Sequence, residues 1–199
     1  IRDCLLSRGL GDVYKRQDAV LIQNPVYYPF TNIIRDNDRR VIDNTLVYEK
    51  RVTEGKSQYS IDYEDFERKI VQENIKLFIL CNPHNPVGRV WTPEELRHIG
   101  DICLRNGVFV VADEIHCELT YEGYDYTPFA SLSKRFQQNS VTCVSPSKAF
   151  NLAGLQISNL FIPNDSLRRR FKRELDAAGY SQLGIMGLVA CCLLYTSPS

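Results

Sequence analysis

The chain has 199 residues, and its length and composition suit one globular domain with a sizeable core. Lysine plus arginine and aspartate plus glutamate each number 24, so the formal net charge is zero, which argues against a protein that binds nucleic acid mainly through charge. No apolar run reaches the roughly 20 residues that cross a bilayer, and no secretory signal is recognisable, so no membrane partner is expected.

The two ends of the chain are expected not to belong to the fold. Residues 7–17 read SRGLGDVYKRQ and residues 192–199 read CLLYTSPS, and one stretch of DNA can encode the first while its frame-shifted reverse complement encodes the second. Such a pair is typical of translated adapter DNA around an insert, so residues 1–17 and 192–199 are predicted to be non-native. The alternative is a genuine pair of tails. On the first interpretation, residues 18–191 are an incomplete domain that begins at a strand and stops in a helix.

The predicted elements begin with Ala19–Gln23, a short apolar run that indicates a buried strand and stops before a proline. From Val41 to Val52 apolar residues alternate unevenly, which indicates a pair of strands with a turn at Asp43-Asn44. Asp62 can cap a helix, because three apolar residues follow it at helical spacing. These three residues are Tyr63, Phe66 and Ile70. A second buried strand is predicted at Ile75–Leu80.

The next helix has strong signals at both ends. The Thr92 side chain can accept a hydrogen bond from the backbone amide of Glu95, whose side chain can reach back to the Thr92 amide. Pro93 occupies the first helical position, where a missing amide hydrogen costs nothing. The pair Asn106-Gly107 is expected to end the helix in a left-handed turn.

Three further strands are expected at Val108–Ala112, Val141–Val144 and Ile157–Ile162, before a helix that begins at Asp165 or Ser166. The short alternation of strand and helix implies right-handed crossovers and a mostly parallel sheet. The sequence therefore predicts an α/β fold in three layers, with the sheet between helices.

A cluster of polar and aromatic residues follows each of four predicted strands. The clusters are Asn24–Tyr28, Asn82–Gly88, Asp113–His116 and Ser145–Lys148. Because ligands bind beyond the carboxyl ends of the strands in such sheets, the clusters are expected to converge on one edge. Together they supply a lysine for an aldehyde, a carboxylate for a ring nitrogen, hydroxyls for a phosphate and aromatic rings for stacking. These groups fit pyridoxal phosphate.

Four stretches carry a specific resemblance. They are PVYYPF at 25–30, NPHNPVGRVWTPEEL at 82–96, DEIHCEL at 113–119 and SPSKAFNLAGLQ at 145–156. In order and spacing the chain resembles fold-type-I pyridoxal-phosphate enzymes of the class I and II aminotransferase superfamily across residues 18–191. Within the superfamily it is most similar to the MalY/PatB-type, or cystathionine β-lyase-like, carbon–sulfur lyases.

The resemblance implies three catalytic residues. Lys148 would form the imine with the cofactor aldehyde and, once released, remove the α-proton of the substrate. Asp113 would pair with the pyridinium nitrogen. His116 stands where most of the superfamily has a tyrosine near the ring oxygen, and histidine there is typical of the lyase branch. A β-elimination that gives pyruvate, ammonia and a thiol is therefore preferred to transamination.

Four more residues are implied to bind the cofactor. Tyr27 would stack on the ring, Asn85 would hydrogen-bond the ring oxygen, and two hydroxyls would bind the phosphate. The hydroxyls are those of Ser145 and Ser147. Many relatives have an arginine on the phosphate where this chain has Gln156, so the phosphate charge must be balanced elsewhere. No metal site is predicted.

Several expectations concern the parent protein as a whole. The family completes its site across a subunit boundary, which implies a homodimer. The seven cysteines form no C-x-x-C pair, which favours free thiols and the cytoplasm. Two alternatives stay open, an aminotransferase and an effector-sensing domain of a transcription regulator with the same fold. His84 and His98 are expected to be structural or exposed, and Tyr121–Tyr126 is expected to be a surface loop.

Overall fold

The computed structural model of the chain describes residues 18–51, 56–179 and 184–196. Residues 1–17, predicted to be non-native, lie outside the described residues, as do residues 197–199. Residues 192–196, also predicted to be non-native, form the end of the last helix.

The described residues form eight strands and six α-helices. The strands are β1 (Ala19–Ile22), β2 (Arg40–Asp43), β3 (Val47–Arg51), β4 (Lys56–Ser60), β5 (Leu77–Cys81), β6 (Phe109–Asp113), β7 (Ser140–Val144) and β8 (Asn159–Phe161). The helices are α1 (Pro29–Asp36), α2 (Tyr63–Gln72), α3 (Pro93–Arg105), α4 (Lys134–Gln138), α5 (Asp165–Ala177) and α6 (Ile185–Thr196). Two short 3₁₀ turns lie at Phe129–Ser131 and Ala153–Leu155.

Six strands form the central sheet in the order β2-β1-β5-β6-β7-β8. All neighbouring pairs are parallel except β7 with β8, which is antiparallel. Jumps in strand order from β1 to β5 and onward require crossovers that carry helices, as in α/β folds. The predicted fold class, a mostly parallel sheet with helices, is confirmed.

The predicted pairing within Val41–Val52 is wrong. β2 lies in the central sheet parallel to β1, and β3 pairs instead with β4 in a separate antiparallel hairpin. Asn44 is fully buried and hydrogen-bonds Gln23, so the chain crosses the end of β1 there instead of turning back on itself. An alternating pattern predicts a strand but does not name its partner.

Helix ends follow local chemistry closely. Asp62 caps α2 as predicted, and the capping box of α3 is complete, with both Thr92 and Glu95 bonded reciprocally. α5 begins at Asp165, one of the two starts that the sequence predicts, and Asn164 caps it. α1 was not predicted, although Pro29 at its first position is a helix-start signal.

Two apolar clusters cover the two faces of the sheet, because successive side chains of a strand point to opposite faces. The first includes Phe78, Val110, Phe66 of α2 and Ile99 of α3. The second includes Ile79, Val111, Ile34 of α1 and Phe171 of α5. The sheet is therefore buried on both sides, and its polar chemistry is displaced to the strand ends.

No described helix has both the length and the apolar character that crossing a bilayer requires.

Candidate active site

The carboxyl ends of three adjacent strands form the centre of the site. Cys81 at the end of β5 pairs with Asp113 at the end of β6, and Asp113 pairs with Cys143 of β7. Parallel strands end at the same edge, so the polar clusters after β5, β6 and β7 start side by side.

The cluster that follows β1 joins the same edge through two contacts. Val26 forms an isolated antiparallel bridge with Pro86. A ring nitrogen of His84 lies 3.1 Å from the carbonyl oxygen of Pro25. The four clusters predicted from the sequence therefore converge.

Asp113 lies partly buried where β6 ends. Burial raises the pKa of its carboxyl to about 6, against smaller lowering effects from a backbone hydrogen bond and from the positive charge of Lys148. The hydrogen bond comes from the amide of Ile115 to Oδ1, at 3.2 Å. A desolvated carboxylate of this kind is stabilised as an anion when a cation is placed against it.

Lys148 lies in the turn after β7, and its side chain is exposed. Its positive charge lowers the pKa of both Asp113 and His116, which shows that the three groups are within electrostatic reach of each other. Burial is the larger cause of the lowered pKa of His116. The imidazole is therefore mainly neutral at pH 7, where it can donate one hydrogen bond and accept another.

Ser145 is buried, and both hydrogen bonds of its hydroxyl are made within the protein. Its Oγ donates to the carbonyl oxygen of Ile157 at 2.6 Å and accepts from the amide of Ser147 at 3.1 Å. The hydroxyl proton would have to rotate away from Ile157 to serve a phosphate. Ser147 is partly exposed beside it, and Gln156 is exposed in a left-handed conformation at φ 51°.

The remaining predicted binding residues, Tyr27 and Asn85, lie on two of the converging loops. The Tyr27 ring contacts those of Tyr28 and Phe30, with centroids 5.8 and 5.6 Å apart. Tyr28 is 70% exposed, so it does not pack in the core. The backbone amide of Asn85 donates to the sulfur of Cys81 at 3.4 Å, which ties this loop to the end of β5.

His84 is a structural residue and is not exposed, which was one of the two expectations for it. It is buried and packs edge-on against Trp91, with ring centroids 5.7 Å apart. Burial lowers the pKa of its imidazole to about 4, so the ring is neutral at physiological pH. Through its contact with Pro25 it links the loop after β1 to the loop after β5.

Sequence reasoning gave no role to Glu114, which is fully buried directly after Asp113. Its Oε1 accepts from the amide of Phe129 at 2.8 Å, and its Oε2 accepts from the Tyr126 hydroxyl. Burial raises the pKa of the Glu114 carboxyl to about 7. Tyr121 is exposed, as expected of a surface loop, whereas Tyr126 is only partly exposed. A carboxylate that directly follows a buried strand was the available signal.

Known proteins are similar to this chain in sequence and fold. The profile of the family described as aminotransferase class I and II matches residues 10–184. Cystathionine β-lyase PatB of Bacillus subtilis (strain 168) is 44% identical over 191 residues, which are 96% of this chain and 48% of that protein. The chain spans about half the length of the curated relatives it matches.

Two solved structures agree with the fold. Cystalysin from Treponema denticola, which contains a pyridoxal 5′-phosphate cofactor, matches with a TM-score of 0.87 at 36% identity, over 95% of this chain and 46% of that chain. The PLP-bound C-S lyase from Staphylococcus hominis matches with a TM-score of 0.77 at 37% identity, over 84% and 41%.

Proposed function

Because the chain belongs to the class I and II aminotransferase family, we propose that the full-length protein is a pyridoxal-phosphate-dependent carbon–sulfur β-lyase. Its substrate is a sulfur-containing amino acid of the cystathionine kind. The observation that carries the proposal is the arrangement of Lys148, Asp113 and His116 after the adjacent strands β6 and β7, where the positive charge of Lys148 acts on both of the other groups. Relatives named as lyases, together with histidine at position 116, support a lyase within the family.

The residues at the strand ends fit this cofactor. Asp113 offers a desolvated carboxylate that gains from a cationic ring nitrogen, and its described hydrogen bond occupies only Oδ1. Lys148 offers an exposed amine beside it. Tyr27 and Asn85 offer a ring and an amide on the neighbouring loops, and Ser147 offers a hydroxyl. When bound, the cofactor would supply an electron sink for the carbanion formed at the substrate α-carbon.

Lys148, Asp113 and His116 each have a separate role in the proposed reaction. Lys148 would hold the cofactor through its aldehyde, and its Nζ, when free, would accept the α-proton of the substrate. Asp113 would keep the ring nitrogen protonated. His116 lies beside Lys148 as a neutral hydrogen-bonding group. The bond between sulfur and the β-carbon breaks, the sulfur leaves as a thiolate, and the remaining fragment is hydrolysed to pyruvate and ammonia.

The test is pyruvate release by a polypeptide of the relatives' full length that carries residues 18–191, called here the full-length polypeptide. With L-cystathionine and no added keto acid, pyruvate and thiol should form in equal amounts. Lys148→Ala should abolish both products. Lys148→Arg is the matched control, since it keeps a positive charge near Asp113 but cannot bond the aldehyde, and it should be equally inactive.

An aminotransferase is the second candidate, because the family that the chain belongs to is described by that activity. Under this alternative, product appears only when a keto acid is added, and the amount of new amino acid equals the amount of keto acid consumed. Pyruvate release without keto acid contradicts it.

The proposal extends to a cytoplasmic homodimer. The support for a homodimer is the resemblance to a family that completes its site across a subunit boundary. None of the described cysteines forms a disulfide, which suits a reducing compartment. Light scattering of the purified full-length polypeptide should give twice the monomer mass, and a monomer mass at micromolar concentration would contradict the dimer.

A further inference from the structure

A short segment, Tyr126–Phe129, lies across the ends of β5 and β6, and it is called here the brace. Three hydrogen bonds hold it. Glu114 accepts from the Tyr126 hydroxyl and, at 2.8 Å, from the amide of Phe129. The side-chain amide of Asn82 donates to the carbonyl oxygen of Thr127 at 3.3 Å.

The two residues that hold the brace come directly after the strands that form the site. Asn82 follows the last residue of β5, and Glu114 follows the last residue of β6. Both side chains are completely buried. The side-chain oxygen of Asn82 accepts a hydrogen bond from the backbone amide of Trp91 at 3.2 Å. Buried polar groups are costly without partners, so these bonds fix the positions of the two strand ends relative to the brace.

The same two residues also connect to the candidate catalytic groups through the backbone. The amide of Asn82 donates to the carbonyl oxygen of Asp113 at 3.0 Å. The carbonyl oxygen of Glu114 accepts from the amide of Cys117 at 3.0 Å, which closes the turn that carries His116. A shift of Glu114 would therefore move Asp113 and His116 together.

We infer that Glu114 is a positioning residue of the proposed reaction, which holds Asp113 and His116 in place through its bonds to the brace. Asn82, directly after the neighbouring strand β5, assists by bonding the same segment. The inference rests on the proposed function. Glu114 is fully buried, and its two carboxylate oxygens bond Tyr126 and Phe129, so it acts through the backbone and not by contact with substrate.

Substitutions at Glu114 in the full-length polypeptide test the inference. Glu114→Ala removes both acceptors and should lower kcat by about 100-fold, because small misplacements of catalytic groups have effects of that size. It should also raise the cofactor concentration needed for half-saturation and shift the pH profile of the cofactor absorbance. Glu114→Gln can accept from Phe129 and donate to Tyr126, so it should restore most of the activity. Tyr126→Phe removes one bond of two and should fall between them, about tenfold down.

Ile70→Ala is the control for a loss of stability alone, since Ile70 is a buried core residue of α2 and is not part of the four clusters. It should lower the melting temperature without changing the pH profile. The inference is overturned if Glu114→Ala keeps the unaltered kcat and cofactor affinity, or if Glu114→Gln is as impaired as Glu114→Ala. If the unaltered polypeptide itself forms no pyruvate, the proposed function has failed, and this outcome is distinct from an active polypeptide that tolerates Glu114→Ala.

Discussion

At the scale of single residues, the site is governed by burial of charge at the ends of the strands. Asp113 and Glu114 are consecutive carboxyls at the end of β6, and burial is the largest cause of the raised pKa of each. Among the proposed catalytic groups, Lys148 supplies the positive charge that lowers the pKa of Asp113, and the same charge also lowers the pKa of His116. At this edge of the sheet the imidazole of His116 is therefore mainly neutral, and the carboxylate of Asp113 is stabilised by a cation placed against it.

These raised pKa values predict a pH dependence of stability. The pKa of Asp113 rises to about 6 and that of Glu114 to about 7, so both carboxyls hold protons more tightly in the folded chain than in the unfolded chain. Their stabilising contribution is complete below the ordinary carboxyl pKa, and it is lost as pH rises through about 6 and 7.

The measurement is urea unfolding of the cofactor-free full-length polypeptide between about pH 5 and pH 7.5, beside the Asp113→Asn/Glu114→Gln double variant. The stability of the variant relative to the unaltered protein should increase as pH rises. The lowered pKa of His84 acts in the opposite direction, but it is present in both proteins and cancels in the difference. A difference that is constant with pH would contradict the assignment.

At the scale of elements, the contact between α3 and α4 depends on a glycine. A Cβ built on Gly100 of α3 would lie 2.6 Å from the ring of Phe136 of α4. The Phe136 ring stacks on Phe129, with centroids 5.2 Å apart. Phe129 in turn donates its amide to Glu114. The close approach of two helices is therefore connected to the brace above the site.

Gly100→Ala is predicted to lower the free energy of unfolding by about 1–3 kcal/mol, because the added methyl group overpacks the Phe136 ring. Phe136→Leu in the same chain should recover part of the loss. Gly154→Ala is the matched control, since no atom lies within 4 Å of its added Cβ, and it should change stability by less than about 0.5 kcal/mol. The measurement is chemical denaturation of the two variants. If Gly100→Ala and Gly154→Ala lowered the free energy of unfolding equally, the close contact with Phe136 would not be the cause.

Local patterns account for the elements that the sequence predicted well. Apolar runs gave β1 and β5–β8, and capping chemistry gave the starts of α2 and α3. The strand partners of β2 and β3 could not be predicted, because pairing depends on residues distant in sequence. The convergence of the four clusters followed from the rule that parallel strands end at one edge. The bond between Glu114 and Tyr126 spans a loop, and no local pattern announces it.

At the scale of the whole molecule, apolar clusters cover both faces of the sheet, and the proposed site residues lie at one edge. The chain spans about half the length of its curated relatives, so the proposed activity belongs to the full-length polypeptide. The described part supplies the lysine, the carboxylate and the imidazole of the proposed site, and the proposed function requires a covalent bond between Lys148 and the cofactor.

The most direct test of that bond is reduction with borohydride. The full-length polypeptide is loaded with pyridoxal phosphate, reduced, digested and mapped by mass spectrometry. The account predicts a yellow chromophore that disappears on reduction and a phosphopyridoxyl group on the peptide that contains Lys148. A label on another lysine, such as Lys134, or no label on any peptide would contradict it.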